Sequence, residues 1–176
     1  MLISIPEVLD ILVTTVAAGF IFMGFVNEPG GETKSFAERL IFSILVAAPA
    51  IILHEFGHKF MALALGYTAT FHAAYTWLAI GIVLKLISFP FLLIVPAYVS
   101  IIGASGFKAA MVAGAGPAVN GLLWLTSWLL LKFGKFSRRT EAILYYSRTI
   151  NMFLFVFNLL PIPGFDGAGF WFNLFR

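Results

Sequence analysis

The sequence predicts an all-α polytopic membrane protein with four or more transmembrane helices and a short strand or re-entrant segment around residues 67–104. Of its 176 residues, 61% are hydrophobic and 11% are charged, whereas a soluble domain has about 25% charged residues. Because so few polar groups cannot cover a water-facing surface, we expect the chain to lie in a lipid bilayer. The length suits one membrane-embedded domain, residues 1–176, with core helices at about 36–66, 107–132 and 140–160.

Four apolar stretches are each long enough to cross a bilayer as a helix. They are residues 8–26, 40–58, 109–131 and 142–160. The first stretch follows Pro6, a residue that suits the first turn of a helix. Because residues 1–10 contain no Lys or Arg, they lack the basic start of a signal peptide, and we interpret the stretch as a retained membrane anchor.

The second helix has a recognisable start and a proline in its interior. Ser35 is followed three residues later by Glu38, which is the pattern of a capping box. Pro49 lies about one turn before a polar motif at 54–58 and favours a kink there. Lys59, directly after that motif, is expected to anchor the helix at the membrane interface.

Residues 67–104 allow three interpretations. Strand-favouring residues begin the segment, and the apolar stretch after them is interrupted by Lys85, Pro90 and Pro96. The segment is therefore a membrane span, a re-entrant hairpin, or a set of short strands shielded by protein. If it forms strands, an edge at about 69–75 is a candidate to receive an extended peptide as an added strand.

The rest of the chain predicts two helices joined by a basic loop. Small residues dominate 103–116, which allows neighbouring helices to approach closely. The loop 132–139 carries four positive charges. The last helix ends before a Pro-Ile-Pro-Gly turn at 161–164, and Asp166 lies shortly after that turn.

Composition also excludes some classes of function. The chain has no cysteine, which excludes disulfides and thiolate metal ligands. Its net charge of +3 is small, and there is no basic stripe of the kind that binds nucleic acid. We therefore expect the lipid bilayer as a partner, and no nucleic acid.

The motif at 54–58, His-Glu-Phe-Gly-His, lies within an otherwise apolar stretch. Two histidines four residues apart lie on one face of a helix, one turn apart. His54 and His58 can therefore reach a single Zn²⁺, with Glu55 beside them as a general base. Ionisable side chains at membrane depth are costly and are functional candidates by default.

A catalytic zinc ion needs a third protein ligand. The candidates are His72, Glu141 and Asp166. If the helix at 109–131 is the only full crossing between the motif helix and the last helix, both of these run in the same direction. Asp166 then lies at the depth of the two histidines, provided that residues 67–104 cross the membrane zero or two times.

Three motifs together resemble the site-2 protease family of intramembrane zinc metalloproteases. The first is His-Glu-Phe-Gly-His at 54–58. The second is Asn-Leu-Leu-Pro-Ile-Pro-Gly-Phe-Asp-Gly at 158–167, and a further element is Gly-Pro-Ala-Val-Asn at 116–120. One departure is Ala168, where the family often has a second glycine.

The resemblance implies an intramembrane zinc endopeptidase that holds one zinc ion. The implied metal ligands are His54, His58 and Asp166. Glu55 would activate the bound water, and Asn158 and Asn120 would position the substrate backbone or stabilise the oxyanion. The implied substrate is a transmembrane segment of another protein, cut within the bilayer in regulated intramembrane proteolysis.

Two lines of reasoning on orientation disagree. The loop 132–139 would lie in the cytoplasm by the positive-inside rule. The resemblance instead implies an active site nearer the cytoplasmic side, which places that loop outside. We expect the second orientation, in a multi-pass protein of a prokaryotic cell membrane.

Two alternative functions stay open at the level of the sequence. One is a membrane zinc protease of another class, whose third ligand is a glutamate, for which Glu141 is the available residue. The other is a non-catalytic metal-binding membrane scaffold. Glu55 argues against the scaffold, because a site that only holds metal needs no base beside it.

Overall fold

The computed structural model describes residues 2–30, 33–89 and 96–175. Its elements in chain order are α1 (Ile5–Phe22), α2 (Phe36–Ala64), β1 (Thr68–Ala73), α3 (Tyr75–Leu86), β2 (Ala97–Ile102), α4 (Gly106–Phe133), α5 (Arg138–Asn158) and α6 (Asp166–Leu174). The predicted all-α polytopic architecture with a short strand region is therefore confirmed.

Within the described ranges, three helices are long and apolar enough to cross a membrane, namely α1, α2 and α4. The helix α5 has 21 residues and is long enough, but it is more polar than the other three because it includes Glu141, Arg148 and Asn151. The fourth predicted span, 142–160, is thus a helix, but its composition does not identify it as a span.

Both long N-terminal helices begin with the capping that their sequences specify. The Ser35 backbone N–H donates to Glu38 Oε2 at 2.9 Å, and the Glu38 N–H donates to Ser35 Oγ at 3.3 Å. This reciprocal pair satisfies N–H groups that have no partner within the helix. The predicted capping box is confirmed, and Pro49 lies inside α2.

The segment 67–104 forms a two-stranded antiparallel sheet with a short helix between its strands. Thr68 lies opposite Ile102, and Ala73 lies opposite Ala97. The helix α3 has 12 residues and is about 18 Å long, well short of the roughly 30 Å hydrocarbon core. Because β1 and β2 are antiparallel partners, the end of this segment lies beside its beginning. The predicted interruption at Pro90 lies outside the described residues.

The helix α2 lies at the centre of the protein. It packs against α1, α4, α5 and both strands. Phe42 and Val46 of α2 pack against Tyr146 and Ile150 of α5. This central position explains why α2, which carries the polar motif, has buried residues along most of its length.

Lys59 is buried in an ion pair with Glu7 of α1. The expectation that it anchors the helix at the membrane interface is therefore wrong. The side chains of Lys59 and Glu7 are 1% and 5% exposed. The Glu7 carboxylate also accepts hydrogen bonds from the N–H of Phe71 at 2.8 Å and the N–H of Ser4 at 2.8 Å. One carboxylate thus joins α1, α2 and β1 next to the motif.

We expect Lys59→Met to lower the free energy of unfolding by about 3–5 kcal/mol, because it leaves a buried carboxylate without its counter-charge. The measurement is unfolding in mixed detergent and SDS micelles. The matched control is Lys34→Met, which removes an exposed partner of Glu38 at 3.5 Å and should cost at most about 1 kcal/mol. Equal losses of unfolding free energy in the two variants would contradict a buried ion pair between Lys59 and Glu7.

Candidate metal centre

Two histidines of α2 and the first residue of α6 converge on one point. Asp166 Oδ2 lies 3.0 Å from His54 Nε2 and 3.3 Å from His58 Nε2. The two Nε2 atoms are 3.1 Å apart. Two tetrahedral zinc ligands, each about 2.0–2.1 Å from the ion, lie about 3.3 Å apart. The spacing of the three donor atoms therefore suits a single zinc ion.

The outer nitrogen of each histidine faces a carbonyl oxygen. His58 Nδ1 lies 2.8 Å from Val112 O, and His54 Nδ1 lies 2.5 Å from Asn120 Oδ1. Because a carbonyl oxygen only accepts, each Nδ1 carries a proton and each neutral ring presents an Nε2 lone pair. Two lone pairs and a carboxylate at one point suit a cation, and outer hydrogen bonds of this kind are typical of zinc-binding histidines.

Asp166 reaches the histidines because the chain turns tightly after α5. It is the first residue of α6, where the helix dipole stabilises a negative charge. A Cβ atom on Gly167 would collide with the backbone of Leu159 and Leu160, so this turn needs a glycine.

The direction of the helices predicts that Asp166 lies at the depth of the two histidines. The structure places the Asp166 carboxylate beside His54 and His58. The cluster of possible metal ligands found in the described part of the chain contains these three residues. It contains neither His72 nor Glu141. The His72 side chain is 37% exposed and lies 3.8 Å from Asp10.

The helix α4 supports the site along one face. Val112, Gly116 and Asn120 are spaced four residues apart, so they lie on consecutive turns. A Cβ atom on Gly116 would collide with His58 Nε2 and lie 2.8 Å from His54 Nε2. Gly116 therefore keeps open the space in which the donor atoms meet. Sequence reasoning identified this glycine only as part of a motif, because the collision depends on tertiary packing.

A cavity of about 830 Å³ opens at the donor atoms. Its polar lining includes His54, Glu55, His58, Asn158 and Asp166. The remaining wall is largely apolar and comes mainly from β2, α4, α5 and the end of α1. Glu55 thus shares one chamber with the cluster, as a base that acts on a bound water must.

The two predicted asparagines occupy different places. Asn158, the last residue of α5, lines the cavity. Asn120 is 0% exposed, and both of its amide N–H groups are used, since Nδ2 donates to Ala50 O at 2.9 Å and to Asn151 Oδ1 at 2.8 Å. The expectation that Asn120 contacts substrate is therefore corrected: it lies behind His54, with no free donor for a substrate.

The exposed sheet edge near the site belongs to β2, and the expected edge at 69–75 is covered. The Phe71 N–H points away from β2, toward Glu7. Phe71 and its partner Val99 therefore form a non-hydrogen-bonded pair, and the backbone N–H and C=O of Val99 point away from β1. Val99 lines the cavity. Among residues 2–30, 33–89 and 96–175, no hydrogen bond to the Val99 N–H is present.

The chain is similar to one curated protein across most of its length. It is 31% identical over 163 residues to a protein of Methanocaldococcus jannaschii (strain DSM 2661) named "Putative zinc metalloprotease". The alignment covers 92% of this chain and 81% of the relative. No protein-family model matches the chain, and no solved structure matches it significantly.

We expect Gly116→Ala to weaken zinc binding by about tenfold or more, because the added methyl group would occupy the space between the two imidazoles. Overpacking of this kind costs about 1–3 kcal/mol, and about 1.4 kcal/mol corresponds to a factor of ten. Competition with a chromogenic chelator measures the affinity. The control is Gly169→Ala, whose Cβ would lie an ordinary 3.4 Å from Ala113. Unchanged affinity in both variants would contradict the role of Gly116.

Proposed function

The chain belongs to the zinc metalloproteases, and from this we propose that it is an intramembrane endopeptidase that hydrolyses peptide bonds in transmembrane segments of other proteins. The observation that carries the proposal is the cluster of His54, His58 and Asp166 in a largely apolar cavity. Residues of α2 and α4, two helices that are long and apolar enough to cross a membrane, contribute to the lining of that cavity.

The proposed metal ligands are His54, His58 and Asp166, which would hold one zinc ion. Bound zinc supplies a water of lowered pKa and polarises the scissile carbonyl. Glu55 takes the proton of the attacking water and passes it to the leaving amine. Because the chamber is mostly apolar, Glu55 acts where electrostatic interactions are weakly screened.

Asn158 is the proposed donor to the developing oxyanion. It lines the cavity with the metal-binding cluster, and no other hydrogen bond is assigned to its amide within the described ranges. The loss of a single oxyanion donor typically costs about 10²–10³ in turnover. Asn120 has a different proposed task, which is to orient His54.

The β2 edge is the proposed docking place for substrate. A transmembrane helix bonds its carbonyl groups internally, so a substrate segment must unwind before cleavage. An unwound segment needs new partners for its backbone. The outward N–H and C=O groups of Val99 supply them by strand addition, beside the cavity that contains Glu55.

We propose a prokaryotic cell membrane as the location, with the active site nearer the cytoplasmic side. The three apolar helices support a multi-pass membrane protein. The orientation rests on the family resemblance, and it leaves the basic loop 132–139 outside, against the positive-inside tendency. Protease accessibility of that loop in sealed vesicles of known orientation tests this part.

Replacing the two candidate carboxylates separately distinguishes this protein from zinc proteases with a glutamate as third ligand. We expect Asp166→Asn to weaken zinc binding by a factor of about 100, because a charged donor 3.0 Å from His54 Nε2 is lost. Glu141→Gln, at the exposed start of α5, should retain wild-type affinity. Metal analysis after dialysis measures both, and zinc loss from Glu141→Gln instead would favour the alternative class.

Replacing the general base distinguishes a protease from a metal-binding scaffold. We expect Glu55→Gln to bind zinc normally and to lose at least about 10²-fold in the rate of cleaving a model transmembrane substrate, since proton transfer contributes about 10²–10⁴. Cleavage by the wild type should also stop when a chelator is added. If the wild type cleaves no transmembrane substrate while it binds zinc, the scaffold is the better conclusion.

A proline at Val99 tests strand addition. Val99→Pro removes the outward N–H without breaking a bond to β1, so we expect kcat/KM to fall about five- to tenfold, the effect of one hydrogen bond of about 1–1.5 kcal/mol. Val99→Ala shortens the side chain but keeps the N–H, and it should lose less. Zinc affinity should not change in either variant. Equal activity of the two variants would speak against docking at this edge.

A further inference from the structure

A series of buried hydrogen bonds connects His54 of α2 with Asn120 of α4 and Asn151 of α5. His54 Nδ1 faces Asn120 Oδ1, and Asn120 Nδ2 donates to Asn151 Oδ1 at 2.8 Å. Asn151 Nδ2 donates in turn to Ser147 O at 2.8 Å and to Ser147 Oγ at 3.2 Å. Ser127 extends the series, with its hydroxyl 3.2 Å from Ser147 Oγ.

The orientations of the Asn120 and Asn151 amides are fixed by two backbone carbonyl groups. Ser147 O only accepts, so the Asn151 amide must present its NH₂ group there and its oxygen toward Asn120. Ala50 O also only accepts, which requires the NH₂ group of Asn120 at that end. Both constraints direct the Asn120 oxygen toward His54.

The consequence reaches the metal-facing side of His54. An oxygen at Nδ1 requires a proton on Nδ1, and the neutral ring then has its lone pair on Nε2. If the Asn120 amide flipped, an N–H would face Nδ1 and favour the opposite tautomer, with a proton on Nε2 where a metal ligand needs a lone pair. In this apolar interior a misdirected amide is costly, because buried polar groups have no water to turn to.

We propose that Asn151 is a positioning residue for the metal centre, which keeps the Asn120 amide and hence the His54 tautomer in the metal-binding orientation. Asn151 is 1% exposed and is not one of the residues that line the cavity. Its oxygen is one of the two acceptors that hold the Asn120 NH₂ group. The proposal rests on the proposed zinc site, and it adds a residue that none of the sequence motifs contains.

The test compares zinc affinities in a double-mutant cycle. Loss of a direct outer partner of a metal ligand typically costs about 10–100-fold in affinity, which we expect for Asn120→Leu. For Asn151→Leu we expect a loss of about three- to tenfold. Because Asn151 acts through Asn120, the double variant should bind zinc no more weakly than Asn120→Leu alone. Additive losses, or affinity of Asn151→Leu within twofold of wild type, would overturn the proposal.

A second variant separates positioning from folding. Asn151→Ser can still donate to Ser147 O within the helix, but its hydroxyl is too short to reach Asn120. It should therefore fold and yet lose zinc affinity as Asn151→Leu does. The matched control is Asn173→Ser in α6, where the amide makes the same bond to the carbonyl four residues back, Gly169 O at 2.8 Å. Within the described ranges, no chain of hydrogen bonds links this amide to His54.

The tautomer itself provides a readout that does not depend on activity. The chain has three histidines, so ¹⁵N-histidine NMR of the metal-free protein gives three rings, and His72→Gln removes one of them. We expect the His54 signal to report a proton on Nδ1 in the wild type and a mixture of tautomers in Asn151→Leu. An unchanged His54 spectrum would overturn the proposal, even if the variant were less stable.

These readouts keep the two proposals apart. If the wild type binds zinc but cleaves no substrate, the proposed protease function fails, whereas the affinity cycle and the tautomer still decide the role of Asn151. If the protein does not bind zinc, the zinc site and its activity fail together. The tautomer in the metal-free protein then decides whether Asn151 orients His54.

Discussion

The two hydrogen bonds at the outer nitrogens of His54 and His58 are the interactions on which the rest of the site depends. They fix which ring nitrogen has its lone pair free, and they do so from α4, a different helix. In an apolar interior such bonds are strong, because no water competes for either partner. They couple the packing of α2 against α4 to the chemistry of the site, so the metal centre can form only when these helices are in register.

The same apolar surroundings explain how so few polar residues build a reactive centre. Glu55, Asn158 and the three donors line the same largely apolar cavity. A low-dielectric environment strengthens each charge interaction there, and it also penalises any polar group without a partner. The buried pair of Glu7 and Lys59 obeys the same rule, since each charge is satisfied by the other and the carboxylate also by backbone N–H groups.

The sequence predicted the parts of the site that depend on local spacing. His54, Glu55 and His58 lie within little more than one helical turn, so periodicity alone brings them together. The prediction of Asp166 needed an argument about the direction of helices, which requires that residues 67–104 do not cross the membrane an odd number of times. The antiparallel pairing of β2 with β1 agrees with that requirement. The capping box at 35–38 was predictable for the same reason as the motif, because it involves neighbours in sequence.

The parts that the sequence did not reveal depend on contacts between distant segments. A lysine directly after an apolar helix segment is typical of an interface anchor. Lys59 is instead buried, because Glu7 of α1 lies beside it and forms an ion pair with it. Asn120 has the chemistry of a substrate contact, yet its donors are already used by Ala50 and Asn151. Tertiary contacts also explain part of the polarity of α5. Asn151 makes the helix less apolar, but its side chain is buried and accepts a hydrogen bond from Asn120 of α4.

The four-residue spacing along α4 has a consequence for how this protein can change in evolution. Three residues on one face of α4 contribute to the site in different ways. Val112 O accepts from His58, Gly116 leaves space for the two imidazoles, and the Asn120 amide oxygen accepts from His54. A single inserted or deleted residue between them would rotate the C-terminal part of the helix by about 100° and separate these contributions at once. Length variation among descendants of this chain should therefore collect in the loops at either end of α4, where an insertion or a deletion leaves the three contributions aligned.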